Sequence, residues 1–110
     1  MNLRDRKAIV TGAGSGIGRA VALGFARAGA AVACISRDME NLRETAAQIE
    51  AAGGRSLALP ADVCDLAALQ AQCLVAERAF GGIDLLFAAA GVTTEHATVQ
   101  RMDPQAFRRV

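Results

Sequence analysis

The stretch Thr11-Gly12-Ala13-Gly14-Ser15-Gly16-Ile17-Gly18 decides the fold of this 110-residue chain, because it joins two segments of different periodicity. The segment before it, residues 7–11, is short and mostly apolar, which predicts a buried parallel strand. After it, apolar or small residues recur at helical spacing and predict one inward helix face, formed by Ile17, Ala20, Val21, Gly24, Phe25 and Ala28. The stretch is therefore predicted to be a glycine-rich turn between a strand and a helix.

A turn of this kind favours the binding of a phosphate. Glycines allow the backbone to turn sharply and to approach a ligand closely. The unpaired N–H groups and the partial positive charge at the start of a helix suit a pyrophosphate. The candidate residues for this contact are Gly12, Ser15, Gly16, Ile17 and Gly18. The strand–loop–helix context predicts a nucleotide-binding loop.

The spacing of the glycines separates this loop from two better-known types. A Walker A loop needs Gly-Lys-Ser/Thr, but the only lysine, Lys7, precedes the loop. The pattern G-x-G-x-x-G, started at Gly12, would need a small residue where Ile17 stands. Gly12, Gly16 and Gly18 instead fit Gly-x-x-x-Gly-x-Gly.

The rest of the chain alternates strands with helices. Strands are predicted over residues 31–35, 56–60 and 83–89, with helices that begin after Asp38, near Asp65 and at Asp103-Pro104. Gly29, the pair 53–54 and the pair 81–82 are predicted to end the first three helices. The order β-α-β-α-β-α-β-α, with short connections, predicts an α/β fold with a Rossmann-type doubly wound parallel sheet and right-handed crossovers. Residues 1–110 are predicted to form a single domain.

Composition excludes several classes of function. Hydrophobic residues make up 53% of the chain and the net charge is +1, so neither nucleic acid nor an anionic membrane surface is an expected partner. No apolar run reaches the roughly 20 residues of a membrane span. A single histidine, His96, and three cysteines without C-x-x-C spacing predict no metal site. We expect a cytoplasmic protein in which Cys34, Cys64 and Cys73 are small buried apolar residues.

The loop from Thr11 to Gly18 resembles the coenzyme loop of the short-chain dehydrogenase/reductase family, and further motifs follow in the family's order. Asp62-Val63, after the third strand, is similar to that family's adenine-ring contact. Residues 82–91 resemble its fourth strand and the motif that ends it, which implies that Gly91 lies at the cofactor. Ala88 and Ala89 stand where the family usually has asparagines, so no role is predicted for them. Asp84 is predicted to be a structural carboxylate.

The end of the second strand bears on the choice between NADP(H) and NAD(H). An acidic residue there would bond the adenosine ribose and repel a 2′-phosphate, whereas this chain has Ser36-Arg37. A hydroxyl and a guanidinium can both bond a phosphate, so NADP(H) is favoured. The alternative for Arg37 is a solvated surface charge. Asp38 is expected to cap the next helix, and Arg19 either adds positive potential or is an exposed helix arginine.

The resemblance implies a hydride transfer between a nicotinamide and a ketone or alcohol, with a Tyr-x-x-x-Lys pair, a serine and an asparagine as catalytic residues. The chain has no tyrosine and a single lysine, Lys7, in its first strand, so no catalytic residue is predicted within it. The family layout implies that the catalytic positions follow Val110 and that the full-length protein is a dimer or a tetramer. The predicted strand 83–89 is apolar on both faces and is expected to need a further neighbouring strand.

Two other functions remain open at this point. A stand-alone, non-catalytic nucleotide-binding or regulatory module would use the same loop. An S-adenosylmethionine-dependent methyltransferase also uses a glycine-rich loop on this architecture, but the ordered dehydrogenase motifs disfavour it. A coding sequence that continues past Val110 into a Tyr-x-x-x-Lys segment would favour the oxidoreductase over the module.

Overall fold

The computed structural model describes residues 2–14 and 16–88, which form a parallel sheet with helices on both faces. The strand order is β3-β2-β1-β4, and every pair of neighbours is parallel. The predicted doubly wound α/β fold is therefore confirmed over this range. The predicted helix at 103–110 and residue 89 lie outside the described residues. The elements are β1 Lys7–Thr11, α1 Gly16–Arg27, β2 Ala31–Ser36, α2 Met39–Ala51, β3 Arg55–Pro60, α3 Leu66–Phe80 and β4 Leu85–Ala88.

Alternate residues of the central strands enter two separate cores. Ile9 and Ala33 pack in the cluster that contains the inner residues of α3. Val10 and Cys34 point to the other face, in the cluster that contains the inner residues of α1 and α2. Strands buried on both faces are continuous apolar runs rather than alternating ones, which is why β1 and β2 carry almost no polar side chains.

Local signals start and end the helices where the sequence predicts. The Asp38 carboxylate accepts hydrogen bonds from the N–H groups of residues 40 and 41, and Asp65 accepts one from residue 68. Gly29 and Gly81 follow α1 and α3 with φ of 107° and 79°, values in the region that favours glycine. Asp84 accepts a hydrogen bond from the Lys7 N–H at 2.9 Å and so has the predicted structural role.

The inward face of α1 differs from the prediction. Ile17 is 72% exposed and Ala20 is also exposed, whereas Gly18 and Ala22 are buried. Gly18 and Ala22, four positions apart, form the face of the helix that packs inward, and the absence of a side chain at Gly18 lets the helix approach the glycine loop closely. The prediction that placed Ile17 on the buried face was wrong for that reason.

Three smaller expectations also need correction. β4 begins at Leu85 rather than at residue 83. The helical spacing of Leu66, Leu69 and Cys73 predicts that all three face inward, but Leu66 is 48% exposed, because it occupies the first turn of α3. Cys34 and Cys73 are buried as predicted, but Cys64 is exposed in the turn between β3 and α3. No helix within residues 2–14 and 16–88 is long and apolar enough to cross a membrane.

Candidate dinucleotide site

A cavity of about 260 Å³ opens at the carboxyl edge of β1, β2 and β3. In an open α/β sheet, ligands bind in the crevice beyond the carboxyl ends of the strands, because the loops there converge. The wall combines residues from three separate connections in the chain, which the parallel register brings to one place. The lining residues are Gly12, Ser36, Arg37, Ala61, Asp62, Val63 and Cys64.

Five of these residues were predicted from the sequence to contact the cofactor, and the fold brings them together. Gly12 follows β1, while Ser36 ends β2 and Arg37 follows it; Asp62 and Val63 follow β3. These residues are up to 51 positions apart in the chain, but they are close in space because β1, β2 and β3 lie side by side in the sheet. The cavity therefore combines a glycine backbone, a hydroxyl, a guanidinium and a carboxylate.

The charged groups of the cavity are accessible. The Arg37 side chain is 78% exposed, and its Nη1 lies 4.0 Å from Oδ2 of Asp62. Oδ1 of Asp62 accepts a hydrogen bond from the N–H of Cys64 at 2.9 Å, which holds the turn after β3. An ion pair at this distance and exposure contributes little to stability. The guanidinium is thus free to take up a more strongly charged partner.

The glycine loop owes its shape to close backbone packing. Gly12 and Gly16 have φ of 68° and 57°, in the left-handed region where a side chain is strained. A Cβ atom on Gly18 would overlap the carbonyl oxygen of Gly12, so α1 can start directly behind the loop only with glycine there. Gly16, Ile17 and Gly18 form the first turn of α1 and do not line the cavity. Gly18 packs against the loop from behind.

Arg19 connects this loop to α2. Its Nη2 donates to the carbonyl oxygen of Gly14 at 2.6 Å, and its Nε donates to Oγ1 of Thr45 at 2.8 Å. Thr45 in turn donates to the carbonyl oxygen of Ala13 at 2.9 Å. The Arg19 side chain is only 22% exposed and its Nη1 lies 3.6 Å from Glu44. The interpretation of Arg19 as an exposed helix arginine was therefore wrong, since the guanidinium binds two segments outside its own helix.

Two of the neighbours that sequence reasoning missed had a detectable signal. The helical spacing of Leu42, Thr45 and Ile49 predicts that Thr45 faces inward, and a buried hydroxyl requires a hydrogen-bond partner. Cys64 follows the predicted contact residues 62–63 at the end of a strand, where ligand-binding loops lie. Arg19 had no such signal in the sequence, because the packing of α1 against α2 determines which groups it contacts.

Two predicted contact residues, Ser15 and Gly91, lie outside the described residues. Within residues 2–14 and 16–88 there is no group of three or more His, Cys, Asp or Glu side chains that could hold a metal ion.

Comparison with known proteins identifies a family that this chain matches. The family model for short chain dehydrogenase matches residues 6–110. A short chain dehydrogenase of Pseudocercospora fijiensis is 41% identical over 90 residues, which are 82% of this chain and 29% of that protein. The chain spans about a third of the length of the curated relatives that it matches.

Solved structures share both the fold and part of the sequence. A short-chain type dehydrogenase/reductase from Mycobacterium marinum matches with a TM-score of 0.80 and 33% identity, over 98% of this chain and 43% of that one. A 7α-hydroxysteroid dehydrogenase, solved with NADH and 7-oxo glycochenodeoxycholic acid, matches with a TM-score of 0.76 and 33% identity. That match covers 77% of this chain and 33% of the steroid dehydrogenase.

Proposed function

This chain belongs to the short-chain dehydrogenase family, and from that premise we propose that it is the cofactor-binding part of an oxidoreductase. The proposed reaction is a hydride transfer between NADP(H) and a ketone or an alcohol, and the nicotinamide supplies the hydride or accepts it. Residues 2–14 and 16–88 bind and orient the adenosine half of the dinucleotide in this proposal. The proton transfer is assigned to residues outside this chain, and the working protein is proposed to be a cytoplasmic dimer or tetramer.

The observation that carries the proposal is the cavity at the carboxyl edge of the sheet. Its wall joins the glycine loop, the end of β2 and the end of β3, in the crevice where doubly wound sheets bind ligands. We assign the pyrophosphate to the backbone of the glycine loop and the adenine to Asp62 and Val63. The ribose and its 2′ substituent are assigned to Ser36 and Arg37.

The preference for NADP(H) rests on charge at the end of β2. The nearest acidic residue, Asp38, directs its carboxylate to the N–H groups of α2 and to Nδ2 of Asn41, so it is already engaged as a helix cap. Arg37 has one distant ion pair and is largely exposed. A phosphate would give its guanidinium a charge-assisted, bidentate partner in place of that pair. The related steroid dehydrogenase was solved with NADH. The proposed preference of this chain for NADP(H) therefore depends on Arg37.

Isothermal titration of the complete protein that carries these residues tests the proposal. We expect the wild-type protein to bind NADPH more tightly than NADH. Arg37→Asp should weaken NADPH by about 2 kcal/mol or more, because it removes a charge-assisted hydrogen bond and adds a repulsive charge. NADH should be affected much less.

Arg43→Asp is the matched control, since Arg43 is an exposed arginine of α2 that does not line the cavity. It should change neither affinity. A folded wild-type protein that binds neither dinucleotide would refute the proposed function. An equal loss of NADPH and NADH in Arg37→Asp would refute only the assignment of Arg37 to the 2′-phosphate.

A further inference from the structure

We infer that Arg19 and Thr45 are positioning residues that hold the glycine loop in its ligand-binding shape and link it to the start of α2. This inference rests on the proposed function, because it assigns to the pair a share in dinucleotide affinity. Neither side chain lines the cavity, so both would act through the backbone of residues 13 and 14.

The hydrogen bonds form a directed relay. Nε of Arg19 donates to Oγ1 of Thr45 at 2.8 Å, and the Thr45 hydroxyl donates its own hydrogen bond to the carbonyl oxygen of Ala13 at 2.9 Å, which is nearer than its other acceptor, the carbonyl oxygen of Asn41 at 3.2 Å. Nη2 of Arg19 donates separately to the next carbonyl, that of Gly14, at 2.6 Å. Two consecutive carbonyl groups of the loop are thus held by one arginine and one threonine.

The orientation of these carbonyl groups matters for an anionic ligand. A peptide unit is planar and trans, so its N–H points opposite to its C=O. The Ala13 carbonyl is directed to Thr45, and the N–H of Gly14 therefore faces away from α2. A loop with free carbonyl groups could rotate these peptides and present oxygen atoms to a pyrophosphate, which would repel it. The relay removes that freedom before the ligand arrives.

Burial and charge pairing indicate a directional role rather than a general electrostatic one. Thr45 is fully buried, and the Arg19 side chain is 22% exposed. Glu44 lies 3.6 Å from Nη1 of Arg19 and sets an opposite charge beside the guanidinium. The specific contribution of Arg19 is the geometry of its hydrogen bonds to Thr45, Gly14 and Asn41.

The same residues reach the segment that faces the ribose. Nη2 of Arg19 also lies 3.2 Å from the carbonyl oxygen of Asn41, in the first turn of α2. A Cβ atom on Gly14 would stand 3.1 Å from Oγ of Ser36 and 3.2 Å from Cβ of Asn41, so the loop packs directly on that segment. Through these contacts the loop proposed for the pyrophosphate rests on the start of α2, which the Asp38 cap holds in place independently of Arg19 and Thr45.

Ligand affinities of Thr45→Val and Thr45→Ser, measured in the complete protein, test the inference. Valine keeps the shape of threonine without the hydroxyl, and serine keeps the hydroxyl. The ligands are the preferred dinucleotide and its adenosine half without pyrophosphate, which is 2′-AMP for NADPH or adenosine for NADH. Thr45→Val should weaken the dinucleotide about tenfold and the adenosine half less than about twofold, and Thr45→Ser should restore dinucleotide affinity to within about twofold.

Arg19→Lys carries the test if Thr45→Val does not fold, because lysine keeps the charge but cannot bond both Thr45 and Gly14 in the same way. It should also weaken the dinucleotide about tenfold, whereas Arg43→Lys should have no effect. Thr45→Val or Arg19→Lys protein that is folded and binds the dinucleotide as tightly as wild type overturns the inference. So does a variant that loses both ligands equally. Wild-type protein that binds no dinucleotide overturns the proposed function, and the inference with it.

Discussion

Gly18 and Gly24 are both glycines within α1, but their surroundings differ completely. A Cβ atom on Gly18 would collide with the carbonyl of Gly12, while a Cβ atom on Gly24 would meet nothing within 4 Å. One glycine is required by the contact between helix and loop. The other only lowers the intrinsic stability of the helix.

Alanine substitutions should therefore have opposite effects at these two positions. Gly18→Ala is expected to lower the free energy of unfolding by more than about 2 kcal/mol, because either the loop or the helix must shift. Gly24→Ala is expected to raise it by about 0.5–1 kcal/mol, since alanine favours the helix. Urea unfolding followed by circular dichroism measures both. Equal effects of the two substitutions would mean that the Gly18 contact with the loop does not constrain the protein.

The three cysteines differ in burial, and this predicts their reactivity. Burial raises the pKa of the Cys34 thiol to about 12 and that of Cys73 to about 11, whereas Cys64 is exposed and lines the candidate site. Only the thiolate reacts readily. A thiol reagent at pH 8 should therefore modify one of these three cysteines in the native protein and all three of them in denaturant. NADPH should slow the modification of Cys64, and a rate unchanged by saturating NADPH would place the ligand outside this cavity.

At the scale of the secondary-structure elements, the helix caps are the features that the sequence predicts best. Asp65 precedes α3, and its Oδ1 accepts a hydrogen bond from the N–H of Ala68 at 3.1 Å. A cap depends on residues only three positions apart, so its signal is contained within a short stretch of sequence. The inward face of α1 has no such local signal, and its prediction failed at Ile17.

The cap of α3 offers a direct test at this scale. Asp65→Ala should lower the free energy of unfolding by about 1 kcal/mol, because one N–H at the start of the helix loses its partner. Asp65→Ser keeps a side-chain acceptor and should cost only a few tenths of that. Thermal or urea unfolding of the two variants provides the measurement. If serine and alanine destabilise equally, the carboxylate contributes through charge rather than through the cap.

At the scale of the whole molecule, the sheet divides the interior into two cores, and each core holds one buried cysteine. Cys34 lies in the cluster beside α1 and α2, and Cys73 lies in the cluster beside α3. Neither thiol ionises in the folded state until the pH is well above the pKa that a thiol has in the unfolded chain. Few other groups titrate in that range, because the chain has no tyrosine and a single lysine. Within this chain, alkaline pH therefore changes the free energy of unfolding mainly through the two buried thiols.

The pH dependence follows from the sign of these shifts. Between the unfolded thiol pKa of 9.0 and the folded values of about 11 and about 12, the unfolded chain binds fewer protons than the folded one. The free energy of unfolding should therefore be unaffected by these thiols below pH 9 and should fall as the pH rises through that window. The double variant Cys34→Ala and Cys73→Ala should be less stable at neutral pH but should show a flatter alkaline decline. An unchanged slope in the double variant would exclude the thiols as its cause.

Most of the fold could be predicted from the sequence. Buried strands, amphipathic helices and their caps are written in the residue types of short segments, and the spacing of Gly12, Gly16 and Gly18 indicated the family before any comparison. The residues that follow β1, β2 and β3 could be assigned to one site because carboxyl ends of parallel strands meet at one edge. The resemblance to the family is the source of the proposed reaction, whereas the positions matched within this chain concern cofactor binding alone.

The sequence by itself determined the α/β alternation and the glycine loop, since both depend on local pattern, and its resemblance to the family pointed to two of the five predicted residues that line the cavity, Asp62 and Val63. Only the tertiary structure decided that Ile17 faces outward, that Cys64 joins the cavity wall and that Arg19 braces the loop with Thr45. The hydrogen bonds of Arg19 and Thr45 to the loop join groups as many as 32 positions apart in the chain. Whether a side chain finds such a partner depends on distances of a few tenths of an ångström between packed helices, and residue types alone do not encode them.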